Sequence, residues 1–375
     1  MNAVHASRKR LTVLATTALA FLTVLPSAQA LTDLGPGALY LDIGAEVEYD
    51  SNILTNSEEI DDFIFRAIPT LVYTQDRGLI HLNATAGTSF NEYSDQSDQS
   101  GTDIYLGFDL SGMHREPAPA VSFSLSGSFA DEATASREIA TRIELERISL
   151  SGSADFDLSE KTAFRASAGY SDADYKEAVL SDSEDVHARA DLLYKYSENL
   201  SLRAGYRYRE IRYTDRTQES DTVIFGAEGG LTEKVSGSIE LGFSDDDMYD
   251  GTRFYYSVDL SWAADENTSF TLSGSRDYTP SAIGANAAST DLRLGMSQRF
   301  SESLSGTSYV GLGRYERGGS LDRRDTIFDI GLRLSLQVGE NASVYANASY
   351  EDRDSNSAVS DYGRILMALG GSIRF

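Results

Sequence analysis

The chain of 375 residues has no cysteine, which removes disulfide frameworks, thiolate metal sites and thiol catalysis together. Proline is scarce, at six residues, and tryptophan occurs once. Basic side chains are few beside acidic ones, 32 Lys and Arg against 58 Asp and Glu, for a formal charge of −26. Nucleic acid is therefore excluded as a partner, because neutralising phosphates takes surplus Lys and Arg. Beyond residue 30 there is also no apolar run near the roughly 20 residues that a membrane-spanning helix needs. What is plentiful is Tyr (21) and Phe (16). A strand-built membrane protein stays open on this profile, because half of each of its strands is polar.

The first thirty residues read as an export signal. Arg8, Lys9 and Arg10 form a basic segment, Leu11 to Leu25 an apolar one, and Ala28-Gln29-Ala30 a small-x-small cleavage site. An uncleaved anchor helix is disfavoured by the shortness of the apolar run. No cysteine follows the cleavage site, so a lipoprotein is ruled out. Residues 1–30 are expected to be a signal peptide and 31–375 a single outer-membrane β-barrel. Loss of the three basic residues takes the charge from −26 to −29.

From Leu39 onward apolar and polar residues alternate with period two, in runs of about ten to fourteen. Leu39, Leu41, Ile43, Ala45, Val47 and Tyr49 share one face of the first run, and Tyr40, Asp42, Gly44, Glu46 and Glu48 the other. The same pattern holds for Ile104/Leu106/Phe108/Leu110 and Phe328/Ile330/Leu332/Leu334/Leu336. A repeat marks the turns: Ser159-Glu160-Lys161, Ser197-Glu198-Asn199, Thr232-Glu233-Lys234, Asp265-Glu266-Asn267, Ser301-Glu302-Ser303 and Gly339-Glu340-Asn341, the glutamates 33 to 38 residues apart. One turn per such period is one hairpin pair. With Gln75-Asp76-Arg77-Gly78 and a corner at Pro117/Pro119 this makes eight short turns, which predict eighteen strands including the closing run Tyr362 to Phe375.

The other connections, near 50–62, 92–103, 131–138, 172–185, 214–221, 245–250, 279–287, 316–325 and 351–361, are longer and carry −25 of the charge. Short turns at one end and longer loops at the other are the sidedness of a bacterial outer-membrane barrel, with the turns periplasmic and the loops extracellular. A soluble sandwich would also alternate, but its strands average about five or six residues, against the nine to eleven a tilted transmembrane strand needs. Outward aromatics gather at both ends, Tyr73, Tyr196, Trp262, Phe300 and Phe375 at the turn end and Tyr49, Phe63, Phe129, Tyr170, Phe243 and Phe254 at the loop end, as interfacial girdles require. Pro69 falls inside the second strand, where a closed barrel has no free edge to accommodate it. A bulge or a break is expected there.

The alternation also names the inward residues. Ser and Gly dominate (Ser122, Ser124, Ser126, Ser128, Gly107, Gly295, Gly311, Gly313), which predicts a wide aqueous lumen at this strand number. No loop is long enough for a large plug. Arg165, Arg189, Lys195, Arg203, Arg207 and Arg209 form an inward basic sector, and Asp42, Glu46, Glu48, Asp103 and Asp109 lie on other strands. Such segregation predicts a transverse field across the bore, unless these charges pair with cross-strand neighbours. Tyr40, Tyr105, Tyr255, Tyr309 and Tyr345 face inward as well, and their ring faces suit sugars.

Catalysis has little to stand on. His81, His114 and His187 are the histidines outside the signal, and at this serine density any inward His has a Ser nearby, so the pairing is unspecific. Asp245-Asp246-Asp247 invites a divalent cation, but a solvated acidic loop is the simpler reading. No catalytic residue, metal site or cofactor is expected.

Glu48-Tyr49-Asp50-Ser51-Asn52-Ile53, then Asp61-Asp62, then Pro69, resembles the opening of the putative β-barrel porin 2 family. The resemblance implies an eighteen-stranded barrel associated with capsular or exopolysaccharide secretion, with periplasmic polysaccharide-export proteins as partners and Pro69 as a family feature. It carries over no catalytic residue. The ending Ile373-Arg374-Phe375 resembles the C-terminal signal of bacterial outer-membrane proteins, which implies Phe375 as an assembly signal read by the barrel assembly machinery, with membrane lipid and lipopolysaccharide around the finished barrel. Two functions follow as expectations: a channel for hydrophilic solute serving polysaccharide secretion, or a general diffusion porin or structural barrel with no dedicated polymer. A receptor with an internal plug domain is excluded, since no residues are left to build the plug.

Overall fold

The computed structural model describes residues 30–114, 120–136, 138–139, 141–247, 251–283, 287–317 and 323–375. The expected signal peptide up to residue 29 and the Pro117/Pro119 corner lie outside the described residues. After a three-residue strand β1 (Thr32–Leu34), eighteen long strands follow: β2 (Gly37–Asp50), β3 (Asp62–Gln75), β4 (Ile80–Tyr93), β5 (Gly101–His114), β6 (Val121–Ser136), β7 (Thr141–Asp157), β8 (Thr162–Tyr175), β9 (Ser183–Lys195), β10 (Leu200–Tyr213), β11 (Thr217–Gly230), β12 (Val235–Asp246), β13 (Arg253–Ala263), β14 (Thr268–Thr279), β15 (Ala287–Arg299), β16 (Leu304–Arg317), β17 (Arg323–Gln337), β18 (Ala342–Ser355) and β19 (Tyr362–Arg374). Each long strand pairs antiparallel with its neighbours in sequence, and β19 pairs with β2, from Leu366 opposite Asp50 to Arg374 opposite Asp42. Phe375 carries the seam one residue further: its N–H donates to the Leu41 carbonyl at 2.9 Å and its carbonyl accepts from the Leu41 N–H at 3.0 Å. The sheet is a closed antiparallel barrel of eighteen strands, and closure removes the edges that an open sheet of this size would leave.

The apolar face of each strand points away from the axis. On β17, Phe328, Ile330, Leu332, Leu334 and Leu336 remain 36% to 49% exposed, while Asp329 between them bonds Arg293 on the inner side at 2.6 Å. Leu292 and Leu312 continue the same surface on β15 and β16. A continuous apolar band of this extent is far larger than a soluble monomer exposes, and a hydrocarbon surround is what satisfies it. Aromatic pairs mark its two rims. Tyr49 lies 5.2 Å from Phe63 and Phe243 6.2 Å from Phe254 at the loop end, and Trp262 stacks on Phe270 at 5.2 Å at the turn end.

The repeated turns share one device. In Ser159, Ser197, Thr232 and Ser301 the hydroxyl accepts the N–H groups two and three residues on, at 2.9 to 3.4 Å, which satisfies donors that a tight turn leaves unpaired. Asp265 does the same for the Asn267 N–H at 2.8 Å, and that bond holds its carboxyl below the usual carboxylate range. Gly339 has no side chain to offer. There the Gln337 amide donates instead to the Gly339 and Glu340 carbonyls.

Two expectations about the wall need revision, and the one at Pro69 resolves to a break without a bulge: β3 keeps its full pairing with β2, whereas on the β4 side pairing lapses between Ala67 opposite Phe90 and Thr70 opposite Gly87 without any shift of register. The lapse is local because a missing N–H affects only the neighbour it would have faced. The strands also run further than the apolar belt, β6 to 16 and β7 to 17 residues. Much of the acidity expected in loops (Asp131, Glu132, Asp172, Asp174, Asp221, Asp325) therefore sits on strand ends above the belt. Lastly, Asp245 and Asp246 are strand residues whose side chains leave opposite faces of the sheet, Asp246 buried and Asp245 exposed, so successive carboxylates of that triplet do not converge on one ion. Among the described residues no group of three or more His, Cys, Asp or Glu is arranged to hold a metal.

Candidate permeation path

Inside the ring, the expected basic sector is a lattice of ion pairs. Arg165 on β8 chelates Asp155 on β7 through Nε and Nη2 at 2.6 and 3.1 Å, and reaches Glu228 on β11 at 3.0 and 3.1 Å. Arg189 bonds Asp191 at 2.7 and 2.8 Å and Glu240 on β12 at 3.0 Å. Arg203 bridges the same Glu228 and Glu240, and the Tyr255 hydroxyl donates to Glu240 at 3.1 Å. Arg207 on β10 meets Asp277 on β14, four strands along, at 2.8 and 2.9 Å. Arg209 holds Asp185 and donates to the Tyr278 carbonyl at 2.6 Å, and Lys195 pairs with Asp157 at 2.9 Å. Six cations thus face seven carboxylates. The transverse field expected from a net positive wall is absent in this sector, because bidentate guanidinium–carboxylate pairs cancel the charge where it arises.

The acidic residues expected elsewhere are placed separately. Asp42 is chelated by Arg374 at 2.7 and 2.6 Å, across the barrel seam. Arg66 joins Glu46 at 2.6 Å and Glu48 at 2.9 Å, and Glu46 also accepts the Tyr345 hydroxyl at 2.6 Å. Asp103 accepts from the Asn91 amide at 2.6 Å and the Ala133 N–H at 3.1 Å. Asp109 stands exposed opposite Asn83 and Ser126.

The inward tyrosines lie flat on the wall. Tyr105 covers Gly87, Tyr309 covers Gly331 and Tyr345 covers Gly370, each on the neighbouring strand, so closely that a Cβ on any of these glycines would meet the ring. Guanidinium groups take up the other faces: Arg293 sits 4.3 Å from the Tyr309 ring centre, Arg333 3.8 Å from Tyr345, Arg207 5.0 Å from Tyr255 and Arg374 5.2 Å from Tyr40. These are cation–π stacks. The open aromatic faces expected to receive sugars are covered at Tyr309 and Tyr345, one face of Tyr255 and of Tyr40 is taken by arginine, and the Tyr105 hydroxyl is bonded to Thr70.

The loop end is more elaborate than the loop lengths implied. The connection after β2, residues 51–61, folds into the mouth. Asn52, fully buried, donates to the Asn56 carbonyl at 2.7 Å and accepts the Asn56 N–H at 3.2 Å, and Ile53 packs against Ile64 and Tyr93. Asp62 accepts the N–H groups of Asp95 and Gln96, tying this loop to the next. Across the mouth, Glu138 at the tip of the long β6–β7 hairpin is a hub. Its carboxylate accepts from Arg317 at 3.1 Å, from the Ser281 hydroxyl at 2.9 Å and from the Ala282 N–H at 2.6 Å, and its carbonyl accepts from Arg323 at 2.5 Å. Those partners lie on β14–β15 and on β16–β17, eight strands away around the ring in either direction. Behind them Asp325, fully buried, gathers Arg317, Arg323, Arg353 and Ser355. At this hairpin extra strand length, not loop length, carries the tip across the mouth.

The histidines are dispersed. His81 lies exposed at the turn end, 3.6 Å from Asp76, His114 ends β5, and His187 lies over Gly169 nearer the loop end. None forms a hydrogen-bonded pair with a serine in the bonds described above.

Residues 214–375, from just before β11 to the last residue, match the family described as Putative beta-barrel porin 2. The motif at positions 48 to 69 lies outside that stretch. Comparison with the curated proteins finds no match. Similar solved structures include OpdK of Pseudomonas aeruginosa with vanillate, 10% identical with a TM-score of 0.47 over 90% of this chain and 99% of that one. OccK2 (OpdF) of the same organism is 10% identical with a TM-score of 0.49 over 91% and 98%. The siderophore receptor PirA of Acinetobacter baumannii is 7% identical with a TM-score of 0.48 over 90% and 80%.

Proposed function

We propose that the chain is an outer-membrane channel through which small hydrophilic solutes diffuse, exported by way of its first thirty residues and inserted with its turns on the periplasmic side. The observation that carries the reading is the sorting of chemistry across one sheet: large apolar side chains on the outside, Ser, Gly and paired charges within. The family match over residues 214–375 supports the porin class. A polar lumen lets a solute exchange water for wall hydrogen bonds at little cost, while the apolar belt anchors the barrel.

Dedicated passage of a capsular or extracellular polysaccharide is the narrower alternative, carried by the resemblance at Glu48 to Pro69. Against it stand the tyrosine faces occupied by arginine and the mouth bridged at Glu138, both of which suit small solutes better than a polymer. Liposome swelling separates the two. Proteoliposomes of the full chain should swell in isotonic small sugars, at rates that fall steeply with sugar size. Loss of surface polysaccharide on gene deletion, with no swelling by any sugar, would favour the polymer reading.

A further inference from the structure

On the outer face of the barrel, at the loop end, the first side chain beyond the apolar belt is acidic on several strands. Glu146 follows Ile148 on β7, Asp172 follows Tyr170 on β8, Asp221 follows Val223 on β11 and Asp245 follows Phe243 on β12. From β14 to β17 that level carries arginine and threonine instead. Register sets Arg276 opposite Thr290, Thr290 opposite Arg314 and Arg314 opposite Thr326, one row across four adjacent strands. The sequence neighbours Asp277, Asp291, Tyr315 and Asp325 make their bonds on the inner side, so alternation turns all four members of the row outward.

The row stands on hydrocarbon-facing side chains. One step lower on the same face, Leu292 lies opposite Leu312 and Leu312 opposite Phe328, and the three are 49%, 53% and 36% exposed. Tyr256 borders the row on β13, opposite Arg276, and Asp354 borders it on β18, opposite Thr326. Neither arginine is consumed by the wall. The Arg276 guanidinium has no ion pair or ring contact among the described residues. Arg314, its side chain 57% exposed, pairs with Glu316 through Nη2 at 2.6 Å and has further N–H groups to offer. The two arginines are two strand spacings apart, about 10 Å, with the Thr290 position between them.

We infer that Arg276, Thr290, Arg314 and Thr326, above their floor of Leu292, Leu312 and Phe328, form a binding site for a phosphorylated glycolipid of the outer leaflet, the lipid A part of lipopolysaccharide. The inference rests on the outer-membrane reading and adds a lipid partner held on one flank of the barrel. Such a lipid presents the same two layers as the site, anionic phosphates above acyl chains. Guanidinium forks take phosphate oxygens in pairs, and basic side chains at headgroup level are where anionic lipid heads bind. A free phosphate ion would leave the apolar floor unused. The carboxylates on the outer face of β7, β8, β11 and β12 repel the same phosphates, which confines the lipid to the β14–β17 flank.

The test titrates the full chain, in non-ionic detergent, with diphosphoryl lipid A and follows the bound lipid by native mass spectrometry. Lipid A stripped of its phosphates is titrated in parallel, and inorganic phosphate is added as a competitor. Diphosphoryl lipid A should bind saturably, the stripped lipid far more weakly, and inorganic phosphate should not displace the lipid. In Arg276→Gln/Arg314→Gln the half-saturating concentration should rise about tenfold, the equivalent of about 1.4 kcal/mol. Arg212→Gln removes an outward arginine that pairs with Glu184 and Glu210, and should leave binding unchanged. Heat-modifiable gel mobility verifies that each variant forms the barrel. Unchanged binding in the double variant, equal binding of the stripped lipid, or displacement by inorganic phosphate would overturn the site and leave the outer-membrane reading standing. A chain that does not fractionate with the outer membrane in cells would remove that reading, and this inference with it.

Discussion

At the scale of single residues, the lumen is organised by glycine. Gly331 lies within strand β17, away from any turn. What matters is the space over it, since an added Cβ would lie 2.5 Å from the Tyr309 ring. Glycine there lets the ring lie flat, and the flat ring gives Arg293 its stacking surface. Gly331→Ala should lift Tyr309 and Arg293 into the bore and lower stability by about 1–2 kcal/mol, as overpacking typically does. Denaturant unfolding in detergent checks this, and the same substitution in a Tyr309→Ala background should cost far less; an equal cost in both backgrounds would place the strain elsewhere. The inward positions of Gly311, Gly313 and Tyr309 are readable from alternation alone. That each ring pairs with a particular glycine depends on register, and register is fixed by both strands together.

At the scale of strands and their connections, the turns were legible and the mouth was not. Ser301-Glu302-Ser303 and its relatives recur because a hydroxyl or carboxylate at the first position caps the donors that follow, so the repeat is a local chemical requirement written at a fixed spacing. Pro69 announces its own disturbance for the same reason, since the effect follows from its missing N–H. The β6–β7 hairpin shows the opposite case. Glu138 looks like one acid among many in an acidic connection, and its partners Ser281, Ala282, Arg317 and Arg323 lie more than 140 residues away in sequence. Nothing at short range marks it. The basic sector is similar: its cations cluster from Arg165 to Arg209, while the carboxylates that neutralise them are spread over β7, β9, β11, β12 and β14, without any common spacing. Glu138→Ala removes three bonds between its carboxylate and the opposite rim, of which the one to Arg317, as a bond to a charged group, is worth about 1.5–3 kcal/mol. Single-channel conductance should rise, with the barrel still assembled; an unchanged conductance would show that the hairpin tip does not restrict the mouth.

At the scale of the whole molecule, one rule covers the architecture: each strand shows hydrocarbon to one solvent and polar groups to the other, and the sheet closes so that both solvents are kept apart. That rule was visible in the sequence because period-two alternation is set by backbone geometry and survives any loop arrangement. The number of strands followed from counting turns. The state of the lumen did not follow, since whether an inward arginine is free or paired depends on residues that only closure brings together. The absence of native cysteine makes the rule directly measurable. Single substitutions Ile330→Cys and Leu332→Cys on one face of β17, and Asp329→Cys and Arg333→Cys on the other, are treated with a bulky, water-soluble maleimide in intact proteoliposomes. The account predicts rapid labelling at 329 and 333 and protection at 330 and 332. Equal labelling of both sets, or labelling at 330 and 332 alone, would contradict it.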